Sequence, residues 1–298
     1  MQATLRRSAY FSGKGLHSGA PARVVVRPAP RDHGIVFRRL DVVDADPVAP
    51  ARFDAVVETR LCTRLANADG VGVATVEHLM AALAALGVRN ARVDVDGPEI
   101  PILDGSARPF LDGLREAGLA FEAAPARVLR VLEPVAVSEG DARAALAPCD
   151  RFEIDFAIDF PDAAIGSQRR ALAVTAESFA RELADCRTFA RVAEIEALRE
   201  AGLARGGDLR NAVVVDGDRV LTPGGLRRPD EPVRHKMLDA VGDLALAGAP
   251  ILGRYVGVRA GHGLTNRLLR ALFARPAAWR WEEARPAEVA PRAALAAE

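Results

Sequence analysis

VRHKMLDAVGDLAL, Val233–Leu246, is the stretch that decides how the chain is read. Its composition predicts a helix. His235, Asp239 and Asp243 follow at four-residue steps and so share one face. Leu238, Val241, Leu244 and Ala245 fall on other faces and can pack into a core. A histidine and a carboxylate one turn apart form half of a zinc-type site. Such a short pattern also occurs on ordinary solvated helices. The rest of the chain has to decide between the two.

The chain has 298 residues, half of them hydrophobic, which suggests about two domains with a sizeable core. Forty basic residues balance forty acidic ones, which argues against a nucleic-acid partner. No apolar run approaches the roughly 20 residues of a membrane span. The opening MQATLRRSAYFSGKGLHSG has no apolar signal-peptide core, so neither a membrane anchor nor a leader is expected. Cys62, Cys149 and Cys186 have no metal-type spacing and read as reduced thiols of a cytoplasmic protein. The only lysines are Lys14 and Lys236. In a chain that otherwise writes arginine, a lysine beside His235 marks a place where a compact ammonium is wanted.

Along the chain, ARVVVRPAP and HGIVFRRL read as strands, and Arg52–Leu65 as a strand pair. A helix is expected from an N-cap at Thr75 to Gly87, then the strand NARVDVDG, the turn GPEIPILDGSA and the helix ARPFLDGLREAG. Residues 122–130 look like a boundary. Strands dominate beyond it, and RFEIDFAIDF alternates with period two. Helical stretches follow at Thr175–Ala184 and Arg191–Ala204, the latter with a Val192, Ile195, Leu198 stripe, then the hairpin AVVVDG–DRVL. The opening helix leads to the strand ILGRYVGVRA and a last helix from Leu264 to Ala274, and the tail from Pro276 reads as loose. Helix–strand–helix thus occurs twice, which suggests an internal duplication of an α+β unit with a site between the halves.

On that reading His78 sits in the first helix of one half, and His235 and Asp239 in the first helix of the other. Three protein ligands leave a fourth tetrahedral position, the arrangement of a catalytic zinc. Glu77 adjoins His78 as a candidate base. His262, between glycines at a strand-to-helix junction, is a candidate acid, and Asp243 is placed to orient it. Lys236 is a candidate substrate contact, Thr188 a candidate oxyanion donor and Phe189 a candidate platform for a sugar face.

Six blocks in order, SGKGLHSG, TVEHLMAALAALG, PEIPILDGSA, CRTF, VRHKMLDAVGDL and GHGLTNRLL, resemble the zinc-dependent UDP-3-O-acyl-N-acetylglucosamine deacetylases of lipid A synthesis. The resemblance runs from Ser12 to Phe273. It implies an α+β fold of two similar domains, each a β-sheet with paired helices, the helices packed between the two sheets. The domains would be 1–125, with the His78 helix, and 126–298, with the His235/Asp239 helix and an acyl-passage insert at about 190–214.

The same resemblance makes His78, His235 and Asp239 zinc ligands, with iron(II) as an alternative ion. It makes Glu77 the base, His262 the cationic acid supported by Asp243, Thr188 an aid to the oxyanion and Lys236 a substrate contact. Phe160 and Arg259 would hold the nucleotide diphosphate, and Leu61 and Phe189 would line the substrate site. The substrate would be UDP-3-O-[(3R)-3-hydroxyacyl]-N-acetylglucosamine, losing acetate in a monomeric cytoplasmic enzyme. Two departures stand out. The resembled family commonly has a glycine and an aromatic residue after the Thr-Phe motif, where this chain has Ala190 and Arg191, and often a lysine where it has Arg259. The competing functions are a zinc amidohydrolase of another N-acylated substrate and a catalytically silent nucleotide-sugar binding protein.

Overall fold

The computed structural model describes residues 1–284. Six helices are present among them: α1 (Glu77–Ala85), α2 (Arg108–Ala117), α3 (Ala176–Glu182), α4 (Val192–Glu200), α5 (Glu231–Ala245) and α6 (His262–Phe273). None is long and apolar enough to cross a membrane.

Two sheets carry the architecture. The first runs in the order Ala9–Lys14, Pro21–Pro28, Ala91–Val95, Ile35–Arg39, Val48–Pro50. Its only parallel pair is Ile35–Arg39 with Ala91–Val95. The second contains the path Val135–Glu139, Ala142–Ala147, Ile251–Val258, Phe152–Asp159, Ser167–Ala173. Here too one pair in the path is parallel, Phe152–Asp159 with Ile251–Val258. The two paths match strand for strand. Each starts with a hairpin, then takes the strand that follows a central helix, then its parallel neighbour. The second sheet is extended on Ile251–Val258 by Arg127–Val131, which pairs in turn with Trp279–Glu283.

The duplicated helix–strand–helix order is therefore an order of space as well as of sequence. Each half also carries a small three-stranded sheet, Val56–Glu58 with Arg64–Ala66 and Gly72–Val73 in one, Phe189–Arg191 with Val213–Asp216 and Arg219–Val220 in the other. The chain closes the first half by pairing Gln2–Leu5 with Leu119–Glu122 and enters the second sheet at Arg127.

The sheets bury their apolar faces on helices. α2 lies on the first sheet, α5 and α6 lie on the second, and α1 packs against both α2 and α5. A helix in the middle of such a stack must be apolar all round. In α1 every residue from Glu77 to Leu83 is buried. Leu79, Met80 and Leu83 fill the core, each worth about 1.5–3 kcal/mol of burial. The small side chains of Ala81 and Ala82 let the neighbouring helices come close. On α5 the same task falls to Gly242. A Cβ there would lie 2.0 Å from the Glu77 carbonyl oxygen of α1.

Two expectations fail. Thr75 is not the N-cap of α1. The helix starts at Glu77 after Val76, and Thr75 has φ +59° with its hydroxyl turned to the buried Glu99, 3.0 Å away. A buried carboxylate outcompetes the helix end for the hydroxyl. The tail from Pro276 is not loose over its described part either. Pro276–Ala278 is a 3-10 turn and Trp279–Glu283 is a strand. Trp279 packs edge-on against Phe273, and Arg127 lies 4.5 Å over the Trp281 ring. That aromatic burial offsets the entropy of ordering the segment. The rest of the tail lies outside the described residues.

Candidate active site

α1 enters the core at a fixed point. The Val76 amide donates to the Thr63 carbonyl at 3.3 Å, so the first turn puts Glu77 and His78 at the seam with α5. The four-residue step on α5 aims His235, Asp239 and Asp243 at the same seam. His78 Nε2 is 3.5 Å from Asp239 Oδ1, and His235 Nε2 is 3.4 Å from that same oxygen. The two imidazole rings stand at 87° with centroids 5.0 Å apart. One ligand atom from each of the three residues lies within 4.8 Å of the others, and all three residues are buried.

The electrostatics suit a metal ion. His235 Nδ1 is 3.0 Å from the Cys186 carbonyl oxygen. A carbonyl only accepts, so Nδ1 carries the proton and Nε2 keeps its lone pair for the seam. Burial pulls His235 down to about 4, so the ring is neutral. Burial alone would raise Asp239. The surrounding imidazoles and the Lys236 ammonium, 2.8 Å from Oδ2, outweigh it and hold the carboxyl well below its usual range. Two imidazole nitrogens and a carboxylate oxygen, with His235 held by the Cys186 carbonyl and Asp239 by Lys236, fit a borderline divalent ion such as zinc.

Beside this trio sits an acid–base cluster. Asp243 Oδ2 is 2.8 Å from His262 Nδ1. Thr63 donates its hydroxyl to Asp243 Oδ1 at 2.6 Å and its amide to Glu77 Oε2 at 3.0 Å. Glu77 Oε1 then faces His262 Nε2 at 3.9 Å, too far for a hydrogen bond. Burial raises the Glu77 carboxyl from its ordinary value, partly countered by His262 and His78. Burial alone would lower His262, and so would its place in the first turn of α6, where a helix disfavours positive charge. The Asp243 carboxylate, with Glu77, more than offsets burial and holds the imidazole at about 9. His262 is thus a cation at neutral pH, with Nε2 free to give a proton. Lys236 behaves alike. Burial opposes its charge and Asp239 restores it, leaving the ammonium above its ordinary value.

Other residues expected at the site fall around it unevenly. Phe160 and Phe189 meet edge to face at 5.3 Å, and Phe189 lies 6.4 Å from the His235 ring. Thr188 is half-buried in the loop after Cys186, its amide bonded to Gly105 and its carbonyl to Val213. Leu61 is exposed and has φ +67°, in the connection just before Thr63. Arg259 is paired with Asp159, the residue before Phe160, and with Asp141. Arg191 is likewise tied down, by Asp162 and Glu194.

Sequence reasoning passed over three supports. Thr63 is the first, and a threonine between a cysteine and an arginine carries no signal of its own. The second is the buried Arg187–Glu231 pair, 2.9 Å apart, which fixes the loop bearing the Cys186 carbonyl. The third is Glu99, which accepts from the His17 and Ser18 amides, each at 2.8 Å, and so pins the SGKGLHSG loop. The presence of that loop, and of Glu99 itself in PEIPILDGSA, among the matching blocks was the hint.

Residues 2–274 match the family model of UDP-3-O-acyl N-acetylglycosamine deacetylases. A UDP-3-O-acyl-N-acetylglucosamine deacetylase of Phenylobacterium zucineum is 57% identical over 279 residues, 94% of this chain and 95% of its own. The proteins of the same name from Idiomarina loihiensis and Myxococcus xanthus are 47% and 46% identical. Those matches cover 93% and 97% of this chain and 91% of each relative.

Proposed function

From a chain that belongs to the LpxC family of UDP-3-O-acyl N-acetylglycosamine deacetylases, we infer the function and then a division of labour among its residues. The protein is a hydrolase. It removes acetate from the sugar nitrogen of UDP-3-O-acyl-N-acetylglucosamine, a step of lipid A biosynthesis. The observation that carries the residue-level reading is the meeting of the His78–His235–Asp239 trio with the Glu77–His262 pair at one buried seam.

In this reading His78, His235 and Asp239 hold a zinc ion, and iron(II) would fit the same donors. Such an ion polarises a carbonyl oxygen and makes water more acidic. Glu77 takes a proton from the attacking water at Oε1, since Oε2 is engaged by Thr63. The raised Glu77 carboxyl supports that role, because a base must hold its proton until the amine leaves. When the C–N bond breaks, its electron pair goes to the sugar nitrogen, and His262 Nε2 supplies the proton. Its charge under the Asp243 carboxylate supports this. Water and amide thus give acetate and the protonated amine, and the proton gained by Glu77 and the one lost by His262 cancel when both return to their starting states. The Thr188 hydroxyl would favour the tetrahedral oxyanion. Lys236 would orient the substrate, with Phe160, Phe189, Arg259 and Leu61 shaping its binding surface. We take 1–125 and 126–298 as the two domains, with 190–214 bordering the acyl chain and the protein acting as a monomer in the cytoplasm.

The test is acetate release from UDP-3-O-acyl-N-acetylglucosamine before and after chelation, with metal content measured on the same sample. One divalent ion per chain, activity lost on chelation and activity restored by zinc support the reading. Full turnover in metal-depleted protein overturns the metal role. Equal turnover of simple acetylamides lacking UDP overturns the substrate assignment.

A further inference from the structure

We propose that Thr63 is the positioning residue that couples the base to the acid across the two halves of the molecule. The proposal rests on the reading of Glu77 as base and His262 as acid. All three polar groups of Thr63 are committed to the site. Its carbonyl accepts from the Val76 amide and fixes where α1 begins. Its amide donates to Glu77 Oε2 at 3.0 Å. Its hydroxyl donates to Asp243 Oδ1 at 2.6 Å, and Asp243 Oδ2 holds His262 Nδ1. The residue is 2% exposed, so water does not compete for these bonds.

The need for this residue follows from the charges. Glu77 Oε1 and His262 Nε2 face each other at 3.9 Å inside a buried cluster. A shift of about 1 Å would close them into a hydrogen-bonded ion pair, and in a low-dielectric site such a pair is hard to reopen. Both groups would then be lost to the substrate. Thr63 holds each of them from behind. Its amide keeps Glu77 turned by one oxygen, and its hydroxyl keeps Asp243 from rotating and carrying His262 with it. Its own position is fixed by the strand Arg64–Ala66 that follows it, which pairs with Val56–Glu58. The small sheet of the first half therefore sets the geometry of an acid carried by the second.

The test compares Thr63→Val, Thr63→Ser, Glu77→Gln, Asp243→Asn and the Thr63→Val/Asp243→Asn double variant in zinc-loaded protein. Turnover of UDP-3-O-acyl-N-acetylglucosamine is read with metal content and thermal midpoint. Valine keeps the shape and the amide but removes the hydroxyl. Its kcat should fall roughly 10- to 100-fold, the scale of one hydrogen bond to a charged group, with KM and metal content unchanged. Serine should restore most of the loss. The double variant should be no slower than Asp243→Asn alone, because Thr63 acts through Asp243. In metal-free protein the low-field proton signal of His262 Nδ1–H should move or vanish with valine and persist with serine.

If valine does not fold, Thr63→Ala removes the same hydroxyl without added bulk and carries the same expectation. Wild-type kcat in either variant, equal loss in the serine variant, or additive losses in the double variant would overturn the proposal. Glu77→Gln separates the two levels. Undiminished turnover there sinks the acid–base reading itself. An inactive Glu77→Gln beside a fully active Thr63→Val sinks only the positioning role.

Discussion

Gly242→Ala sets two effects of opposite sign against each other. On a free helix surface, alanine is better than glycine by about 1 kcal/mol, so the variant should be more stable. At the seam, the added Cβ would lie 2.0 Å from the Glu77 carbonyl oxygen and 2.8 Å from its carbon. A carbon and a carbonyl oxygen settle at about 3.3 Å or more, so α1 and α5 must part by roughly 1.3 Å. Nothing flexible lies there to give way, because the contact is with backbone. Overpacking of this kind costs about 1–3 kcal/mol, which leaves a net loss of up to about 2 kcal/mol and a lower thermal midpoint.

The sharper effect is on the metal proposed for the His78–His235–Asp239 trio. His78 rides on α1, while His235 and Asp239 ride on α5. Ligand distances tolerate about 0.2 Å, far less than the separation required. Zinc affinity, measured by competition with a chelator, should fall at least about tenfold. A variant that gains stability and keeps wild-type zinc affinity would show that the helices do not meet at Gly242, and the account of the seam would fail with it.

Glu77→Ala should bind zinc normally and lose most turnover, as measured by metal content and acetate release together; wild-type turnover would rule out Glu77 as base. Arg187→Ala takes the guanidinium from the buried Glu231 carboxylate, leaving it the backbone amides of residues 187 and 227, and loosens the loop carrying the Cys186 carbonyl. It should cost about 3–5 kcal/mol in denaturant unfolding, and a loss under about 1 kcal/mol would contradict the pairing. Hydrogen bonds from Arg234 and Arg181 draw Glu182 down to about 2 from an ordinary 4.5. A carboxyl lowered by folding stabilises above its unfolded value, and that contribution is lost as pH falls from about 4.5 to 2. The thermal-midpoint gap between wild type and Glu182→Gln should therefore be widest at neutral pH and shrink through that window, whereas a constant gap would refute it.

What the sequence disclosed, and what it hid, follows from how far each feature reaches along the chain. The helices were legible because their signals are local: apolar periodicity, Gly87 and Gly118 after the last turns, and the four-residue step of His235 and Asp239 on α5. The strand Ser167–Ala173 escaped notice because its outward positions include Arg169, which pairs with the buried Asp155 of the next strand. The closing strand Trp279–Glu283 was masked by the alanine- and glutamate-rich sequence around it, although its alternating tryptophans were in plain view. Thr75 carried a true helix-start signal that a tertiary partner, Glu99, overrode. Thr63 could not be found at all, since two of its three links run through backbone atoms and its hydroxyl bonds a residue 180 positions away.

The duplicated fold explains why the chemistry gathers where it does. A single half can bury one face of its sheet under its own helices, but the outer faces of α1 and α5 then need each other. Packing them together leaves the first turn of α1 with no water around it. In that place Glu77 is held by the Thr63 amide, and Glu77 and His78 face groups from α5 and α6. The reverse also holds. Asp239 and Asp243 are met by Lys236 and His262 within their own half, and the other half adds His78 beside Asp239 and the Thr63 hydroxyl on Asp243. The polar network at the seam is thus complete only when the two halves are docked. Stability of the interface and competence of the site therefore come from the same contacts, and a change that loosens α1 against α5 should be seen in metal affinity before it is seen in unfolding.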